Sequence, residues 1–81
     1  MSLAKIDKLV KMANQIGDFF APMPQDVATK GVATHLRRYW TPKMISEITD
    51  YLDAGGDGLK PVAALGVRWL KEEGAPAVNP R

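Results

Sequence analysis

Proline and glycine divide this chain into four stretches, and each stretch carries apolar residues at helical spacing. The breaks lie at residues 21–24 (APMP), at Thr41-Pro42, at residues 54–58 (AGGDG) and at Gly74. Proline removes a backbone donor from a helix, and glycine tolerates the left-handed conformation that closes one. No strand-like alternation and no internal repeat stands out. The pattern therefore predicts an all-α fold, a small compact bundle of about four helices with a loose C-terminal tail.

The apolar stripe of each stretch predicts which side of that helix faces the core. The stripes are Ile6, Leu9, Val10, Ala13, Ile16, Gly17 and Phe20; then Ala28, Gly31, Val32, His35 and Tyr39; then Ile45, Ile48 and Leu52, flanked by Met44 and Tyr51; and last Val62, Leu65, Gly66 and Trp69, with Leu70 beside them. We expect Thr41 to cap the third helix with Pro42 at its first position, and Asp57 to cap the fourth. Residues 1–74 are expected to form one helical domain. Residues 75–81 contain two prolines and little to bury, which predicts a flexible tail.

A chain of 81 residues can build only a marginal core. Domains of this size bury only about 60% of their unfolded surface, so something usually supplements the core. The absence of cysteine excludes disulfides and thiolate metal sites, and a single histidine argues against a zinc site. A partner protein or self-association remains as the expected supplement.

The charge and the hydropathy pattern indicate a cytoplasmic protein whose charged segments pair with each other or with a polar protein partner. Residues 22–41 carry a net charge of +2 and residues 42–58 a net charge of −3, which suggests internal pairing or a polar protein partner. No apolar run approaches the roughly 20 residues that a membrane span needs. The first 17 residues are amphipathic, without the apolar segment or cleavage site of a secretory signal.

The densest cluster of functional residue types is HLRRYWTPKM, from His35 to Met44. A lone histidine on an apolar helix face is typical of a hydrogen-bonded core or boundary residue. A catalytic base would need a nucleophile or acid within reach, and a metal would need further ligands at suitable spacing. The sequence shows neither, so we predict no catalytic residue and no metal ligand.

Basic residues in this segment raise the alternative of a small helical nucleic-acid-binding module. Arg37 and Arg38 point about 100° apart on a helix, and the following helix is acidic, whereas phosphate binding normally requires a concentrated basic face. The other two interpretations are that they are solvated, or that they form the charged rim of a protein contact. Nucleic-acid binding is therefore not the favoured reading.

The sequence allows two roles for each of three further apolar side chains. Trp40 either plugs the corner between the second and third helices or anchors a partner, as tryptophan often does at interfaces. Met12 and Phe19 lie off the stripe of the first helix, where they either wrap the edge of the core or face a partner. The GGDG sequence lacks the lysine and the preceding strand of a phosphate-binding loop, so we interpret it as a turn.

Three segments in order resemble the small delta subunit of cytoplasmic, NAD-dependent, molybdenum- or tungsten-containing formate dehydrogenases. They are KLVKMANQIGDFF (residues 8–20), HLRRYWTPKM (residues 35–44) and GGDGLKPVAALGVRWL (residues 55–70), and together they cover nearly the whole chain apart from the tail. The family usually has arginine where this chain has Lys43, and often at the position of Ser46. Lysine keeps the charge but loses the planar, bidentate fork of arginine.

The resemblance implies a non-catalytic accessory subunit. In such complexes the alpha subunit holds bis-molybdopterin guanine dinucleotide and oxidises formate to carbon dioxide, and electrons pass through iron–sulfur clusters to an FMN subunit that reduces NAD. The delta subunit would bind the alpha subunit and support cofactor insertion, maturation or stability of the complex, with no cofactor of its own. A homo-oligomer of the isolated chain is a further alternative.

We expect exposed rings to bury against the alpha subunit while a basic rim pairs with its acidic groups or with cofactor phosphates. The predicted contact surface comprises His35, Arg37, Arg38, Tyr39, Trp40 and Lys43, and a second surface comprises Met12, Asn14, Gln15 and Phe19.

Overall fold

Four α-helices account for most of the part of the chain that the computed structural model describes, residues 2–73. The helices are α1 (Ser2–Phe20), α2 (Gln25–Tyr39), α3 (Pro42–Asp53) and α4 (Pro61–Glu73), and the described residues include no β-strand. None of these helices has the length and apolar character needed to cross a membrane. The predicted all-α, four-helix fold is confirmed. The predicted tail (residues 75–81) and the domain boundary at residue 74 lie outside the described residues.

Local sequence signals set the first two connections. Helix α1 ends at Phe20, directly before the segment that contains Pro22 and Pro24, as predicted. The hydroxyl of Thr41 accepts a hydrogen bond of 3.2 Å from the backbone N–H of Met44, and Pro42 is the first residue of α3. This satisfies one of the free N–H groups at the helix start. The predicted cap of α3 is therefore confirmed.

The connection between α3 and α4 is a glycine turn, as predicted, but Asp57 does not cap α4. Gly55, Gly56 and Gly58 have φ values of +129°, +62° and +89°, which residues with a side chain rarely adopt. Helix α4 begins only at Pro61, so Asp57 lies too far before it to reach its free N–H groups. The backbone carbonyl of Asp57 instead accepts a 2.6 Å hydrogen bond from the hydroxyl of Tyr51.

The core consists mostly of small and medium-sized side chains. Its buried residues are Leu9, Ala13, Ala28, Val32, Ala33, Leu36, Trp40, Ile48, Ala63, Val67 and Leu70. The largest fully buried side chains are Leu36, Ile48, Val32 and Val67, and no polar residue of the described part is buried. Small residues let the helix axes approach closely, so the bundle closes without placing most of its aromatic rings inside.

The predicted stripes are confirmed in α1 and α3, but in α2 and α4 they are displaced by about one position. Leu36 of α2 and Val67 of α4 are fully buried, whereas Tyr39, which the stripe placed in the core, is 69% exposed. These two helices form the most extensive contact of the bundle. A Cβ atom added to Gly66 would lie 2.5 Å from the Cβ of Val32. The contact follows small residues, which a stripe drawn through large apolar residues does not detect.

Candidate functional site

One concave surface of the described chain is a groove between α1 and the corner that joins α2 to α3. It has a volume of about 530 Å³. Its lining residues, which define the groove, are Met12, Gln15, Ile16, Phe19, Phe20, His35, Tyr39, Trp40 and Met44. The groove thus brings together residues from the two contact surfaces that the sequence predicted separately.

Two aromatic rings stand exposed on the groove, each in contact with a neighbouring ring. Phe19 is 70% exposed and Tyr39 is 69% exposed. Phe19 meets Phe20 edge to face, with ring centroids 5.1 Å apart, and Tyr39 packs against His35 at 4.7 Å with an interplanar angle of 44°. Such ring pairs are favourable and limit side-chain freedom. The exposed rings are therefore partly ordered before any partner arrives.

The ring of Phe20 packs against Gly31 of α2, where the helix has no side chain. A Cβ atom at Gly31 would lie 2.5 Å from the Cε1 atom of the Phe20 ring, so any other residue there would force the ring to move. From the sequence, Ile16 and Phe20 were predicted to belong to the core stripe of α1, and Met44 to flank that of α3. Their position in the groove was therefore not predicted. A glycine inside a predicted helix was the available signal, since such residues commonly mark a close approach.

Trp40 forms part of the groove floor and is only 6% exposed. It follows the last residue of α2, and its backbone N–H donates to the carbonyl of Leu36 at 2.8 Å. The extended backbone of Trp40 turns the chain toward α3 and places the ring in the core. The interpretation that it plugs the corner is confirmed, and the expectation of an exposed ring is wrong for Trp40. His35 is half-buried, as expected of a boundary residue.

Two acidic residues of α3 form ion pairs with lysines of other helices, not with the arginines of α2. The Nζ atom of Lys5 lies 3.4 Å from Glu47, and that of Lys71 lies 2.6 Å from Asp53. A third pair, between Lys60 and Asp18, links the turn before α4 to α1 at 3.3 Å. Two carboxylates of the acidic segment thus form ion pairs with cations of α1 and α4. Among the described residues no ion pair joins this segment to the adjacent basic one, so the predicted pairing of the two segments is not observed.

Basic side chains of α2 border the groove without an ion-pair partner among the described residues. Lys30 and Arg38 line a depression of about 380 Å³ next to the groove, together with Phe20, Gly31, Thr34, His35 and Tyr39. Both cations are exposed, and neither belongs to an ion pair within residues 5–73. The groove is therefore apolar inside and positively charged along one border. Lys30 was not among the site residues predicted from the sequence.

Arg37 lies on another face of the bundle than Arg38. It lines a depression of α2, α3 and α4 that shares only Trp40 with the groove. Lys43 is exposed and lines none of these depressions. The basic residues of HLRRYWTPKM are therefore spread over different faces, unlike the single basic surface that typifies nucleic-acid binding.

Asn14 does not line the groove, although the sequence analysis placed it on a contact surface. Its Oδ1 atom accepts from the backbone N–H of Lys60 at 2.8 Å, and its Nδ2 atom donates to the carbonyl of Gly58 at 2.9 Å. Both ends of the amide are thus used to fasten the α3–α4 turn to α1. Asn14 supports the fold at this position.

The chemistry that the groove offers is binding. Within the described residues, no group of three or more histidine, cysteine, aspartate or glutamate side chains is arranged to hold a metal ion. The groove presents aromatic rings, two methionines and a basic border. Aromatic residues, methionine and arginine are enriched at protein interfaces.

Comparison with known families gives one match. The family described as "NADH-dependant formate dehydrogenase delta subunit FdsD" matches residues 8–67, which include every residue of the groove. No curated protein and no solved structure matches the chain significantly. The resemblance based on the three sequence segments is confirmed. By its length of match and by these segments, the chain belongs to the family of delta subunits of NADH-dependent formate dehydrogenases.

Proposed function

We propose that this chain is a non-catalytic accessory subunit of a cytoplasmic NAD-dependent formate dehydrogenase that binds the catalytic alpha subunit through the groove. In that role it supports insertion of the molybdenum cofactor, maturation, or stability of the complex. Family membership supports association with other subunits. The observation that carries the choice of surface is the pair of exposed rings, Phe19 and Tyr39, on an apolar groove.

Burial of these rings supplies a driving force for association. Fully burying an aromatic side chain of this size is worth about 1.5–3 kcal/mol. Phe19 and Tyr39 are each about two-thirds exposed in the isolated chain, so most of this free energy is still available to a partner. Because each ring already packs against a neighbour, less side-chain freedom is lost when the partner binds.

The charges beside the groove define the chemistry of the partner surface. Lys30 and Arg38 border the groove without internal ion pairs in the described part. A complementary surface on the alpha subunit would carry an apolar projection for the groove and acidic residues facing these two cations. Such complementarity increases the association rate and rejects partners with the wrong charge.

The proposal leaves the redox chemistry to other subunits. Bis-molybdopterin guanine dinucleotide, the iron–sulfur clusters, FMN and NAD would all be bound outside this chain. Its own residues would act by covering an apolar part of the alpha subunit, either while the cofactor is inserted or permanently. Measuring molybdenum content separately from complex yield distinguishes these two roles.

Co-purification with the tagged alpha subunit tests the groove. We expect the double variant Phe19→Ser/Tyr39→Ser to lower recovery of this chain by roughly tenfold or more, because central aromatic residues dominate interface energies. Val27→Ser is the matched control, since Val27 is 48% exposed but lies outside the groove. Trp40 is unsuitable for this test because it is buried in the core. Equal recovery of the double variant and the control would contradict the proposal.

The basic border is tested in the same assay. Arg38→Glu should weaken recovery, most strongly at low salt, whereas Lys43→Glu changes an exposed cation outside the depressions and should have a smaller effect. The two alternatives have their own signatures. A nucleic-acid-binding module would shift DNA or RNA in a gel with strong salt dependence, and a homodimer would sediment at twice the monomer mass.

A further inference from the structure

A second concave surface lies on the opposite side of Trp40 from the groove. This surface, the Arg37 depression, has a volume of about 510 Å³ and is lined by Arg37, Trp40, Pro42, Ile45, Ser46, Thr49, Leu70 and Lys71. We propose that it binds a carboxylate of a polypeptide, namely an aspartate or glutamate side chain flanked by apolar residues. The site is separate from the groove, and binding to it does not depend on the function proposed for the groove.

One donor atom of the Arg37 guanidinium lacks a hydrogen-bond acceptor among the described residues. The residue is half-buried, and its Nη1 atom is buried without a hydrogen-bond partner among the described residues. An unsatisfied buried donor is destabilising, and more so when it belongs to a charged group. A carboxylate in the depression would satisfy it once the guanidinium turns toward the opening. Arginine and carboxylate match as paired, parallel hydrogen bonds.

The charge of the depression fits a singly charged ligand. The ammonium group of Lys71 is already paired with Asp53 at 2.6 Å. Arg37 forms no ion pair within the described part of the chain, and no further residue of the lining is charged. One free positive charge suits a carboxylate better than a phosphate dianion. The exposed Ser46 hydroxyl offers an additional donor at the same surface.

The apolar part of the lining indicates a polypeptide as the source of the carboxylate. Trp40, Pro42, Ile45 and Leu70 form the remaining walls. These walls would contact an apolar side chain next to the acidic residue and so add to the binding free energy. A small free anion has no group to place there. The combination predicts preference for an acidic residue between apolar ones.

Nuclear magnetic resonance on the isolated full chain tests this inference. The probes are acetyl-Leu-Glu-Leu-amide, the same peptide with glutamine, and inorganic phosphate. We expect the glutamate peptide to shift the side-chain Nε–H signal of Arg37 saturably, with an affinity about tenfold higher than the glutamine peptide, since charge-assisted hydrogen bonds are about twice as strong as neutral ones. Phosphate should bind more weakly than the glutamate peptide.

Three variants make the result specific. Arg37→Lys keeps the charge but loses the fork, and should weaken the glutamate peptide as followed by the backbone signals of Ser46 and Thr49. Arg38→Gln, the matched control on another face, should leave it unchanged, and so should Phe19→Ser/Tyr39→Ser, which disables the groove. The inference is overturned by equal binding of the two peptides, by phosphate binding as tightly as the glutamate peptide, by no saturable shift, or by loss of binding in Arg38→Gln.

Discussion

Helix α2 takes part in two very different surfaces, the contact with α4 and the groove. On the α4 side it presents fully buried Val32 and Leu36, and Val32 lies against a glycine. On the groove side it presents the half-buried ring of His35 and the exposed ring of Tyr39. One helix thus buries aliphatic side chains to close the bundle and presents aromatic rings on the side of the groove.

The comparison shows how this chain can fold and still keep aromatic surface for a partner. Of its six aromatic residues only Trp40 is buried. A core of alanine, valine and leucine needs close helix approach, which Gly66 and Gly17 permit. The rings of Phe19 and Tyr39 are then not required inside, so their apolar area remains available for association. Variants on the two sides of α2 should therefore affect different properties.

The largest effect on stability is expected at the α2–α4 contact. Gly66→Ala places a Cβ atom 2.5 Å from the Cβ of Val32, and overpacking of this kind costs about 1–3 kcal/mol even though alanine favours the helix. At Gly17 the added atom would lie 3.0 Å from the backbone N and 3.2 Å from the Cβ of Ala63. This contact is tight but less severe than the one at Gly66, and alanine favours the helix, so Gly17→Ala should cost less than Gly66→Ala. Urea denaturation measures both. A smaller loss in Gly66→Ala than in Gly17→Ala would show that the α2–α4 contact can readily adjust.

An intermediate effect on stability is expected at Asn14. Variants at this position test whether the residue supports the fold or contacts the partner. Asn14→Ala removes two hydrogen bonds to the α3–α4 turn and should cost about 1–2 kcal/mol of unfolding free energy. Asn14→Asp is the comparison variant: it keeps a charged acceptor for the Lys60 N–H, but replaces the donor to Gly58 by an oxygen that repels the carbonyl. Thermal unfolding should rank the parent chain above both variants. At temperatures where the Asn14→Ala variant is folded, the tagged alpha subunit should recover it as well as the parent chain. A lower recovery of the folded variant would mean that Asn14 contacts the partner.

The smallest effect on stability is expected from the variant with the largest effect on binding. Phe19→Ser/Tyr39→Ser should change the unfolding free energy by no more than about 1 kcal/mol, because both side chains are about two-thirds exposed and surface substitutions are usually within about 0.5 kcal/mol each. Denaturation of the purified variant measures this. A destabilisation as large as that of Gly66→Ala would mean that the two rings stabilise the fold and are not available for binding a partner.

Some features of the site were predictable from sequence and others were not. The segment from His35 to Met44 and the off-stripe residues Met12 and Phe19 were identified by residue type and helical spacing. Spacing cannot tell whether residues of different helices meet, so the two predicted surfaces could not be joined into one groove. For the same reason Asn14 was assigned to a contact surface, although its partners lie more than forty residues away in the α3–α4 turn.

The sequence alone determined the four helices, most of their ends and the family to which the chain belongs. These features depend on interactions within a few residues: a proline without a donor, a glycine at positive φ, a threonine hydroxyl at a helix start. The tertiary structure decided which faces of α2 and α4 pair, and that Trp40 is buried while Phe19 and Tyr39 are not. Those outcomes depend on how closely the helices approach one another, and that distance is set by small residues distant in sequence.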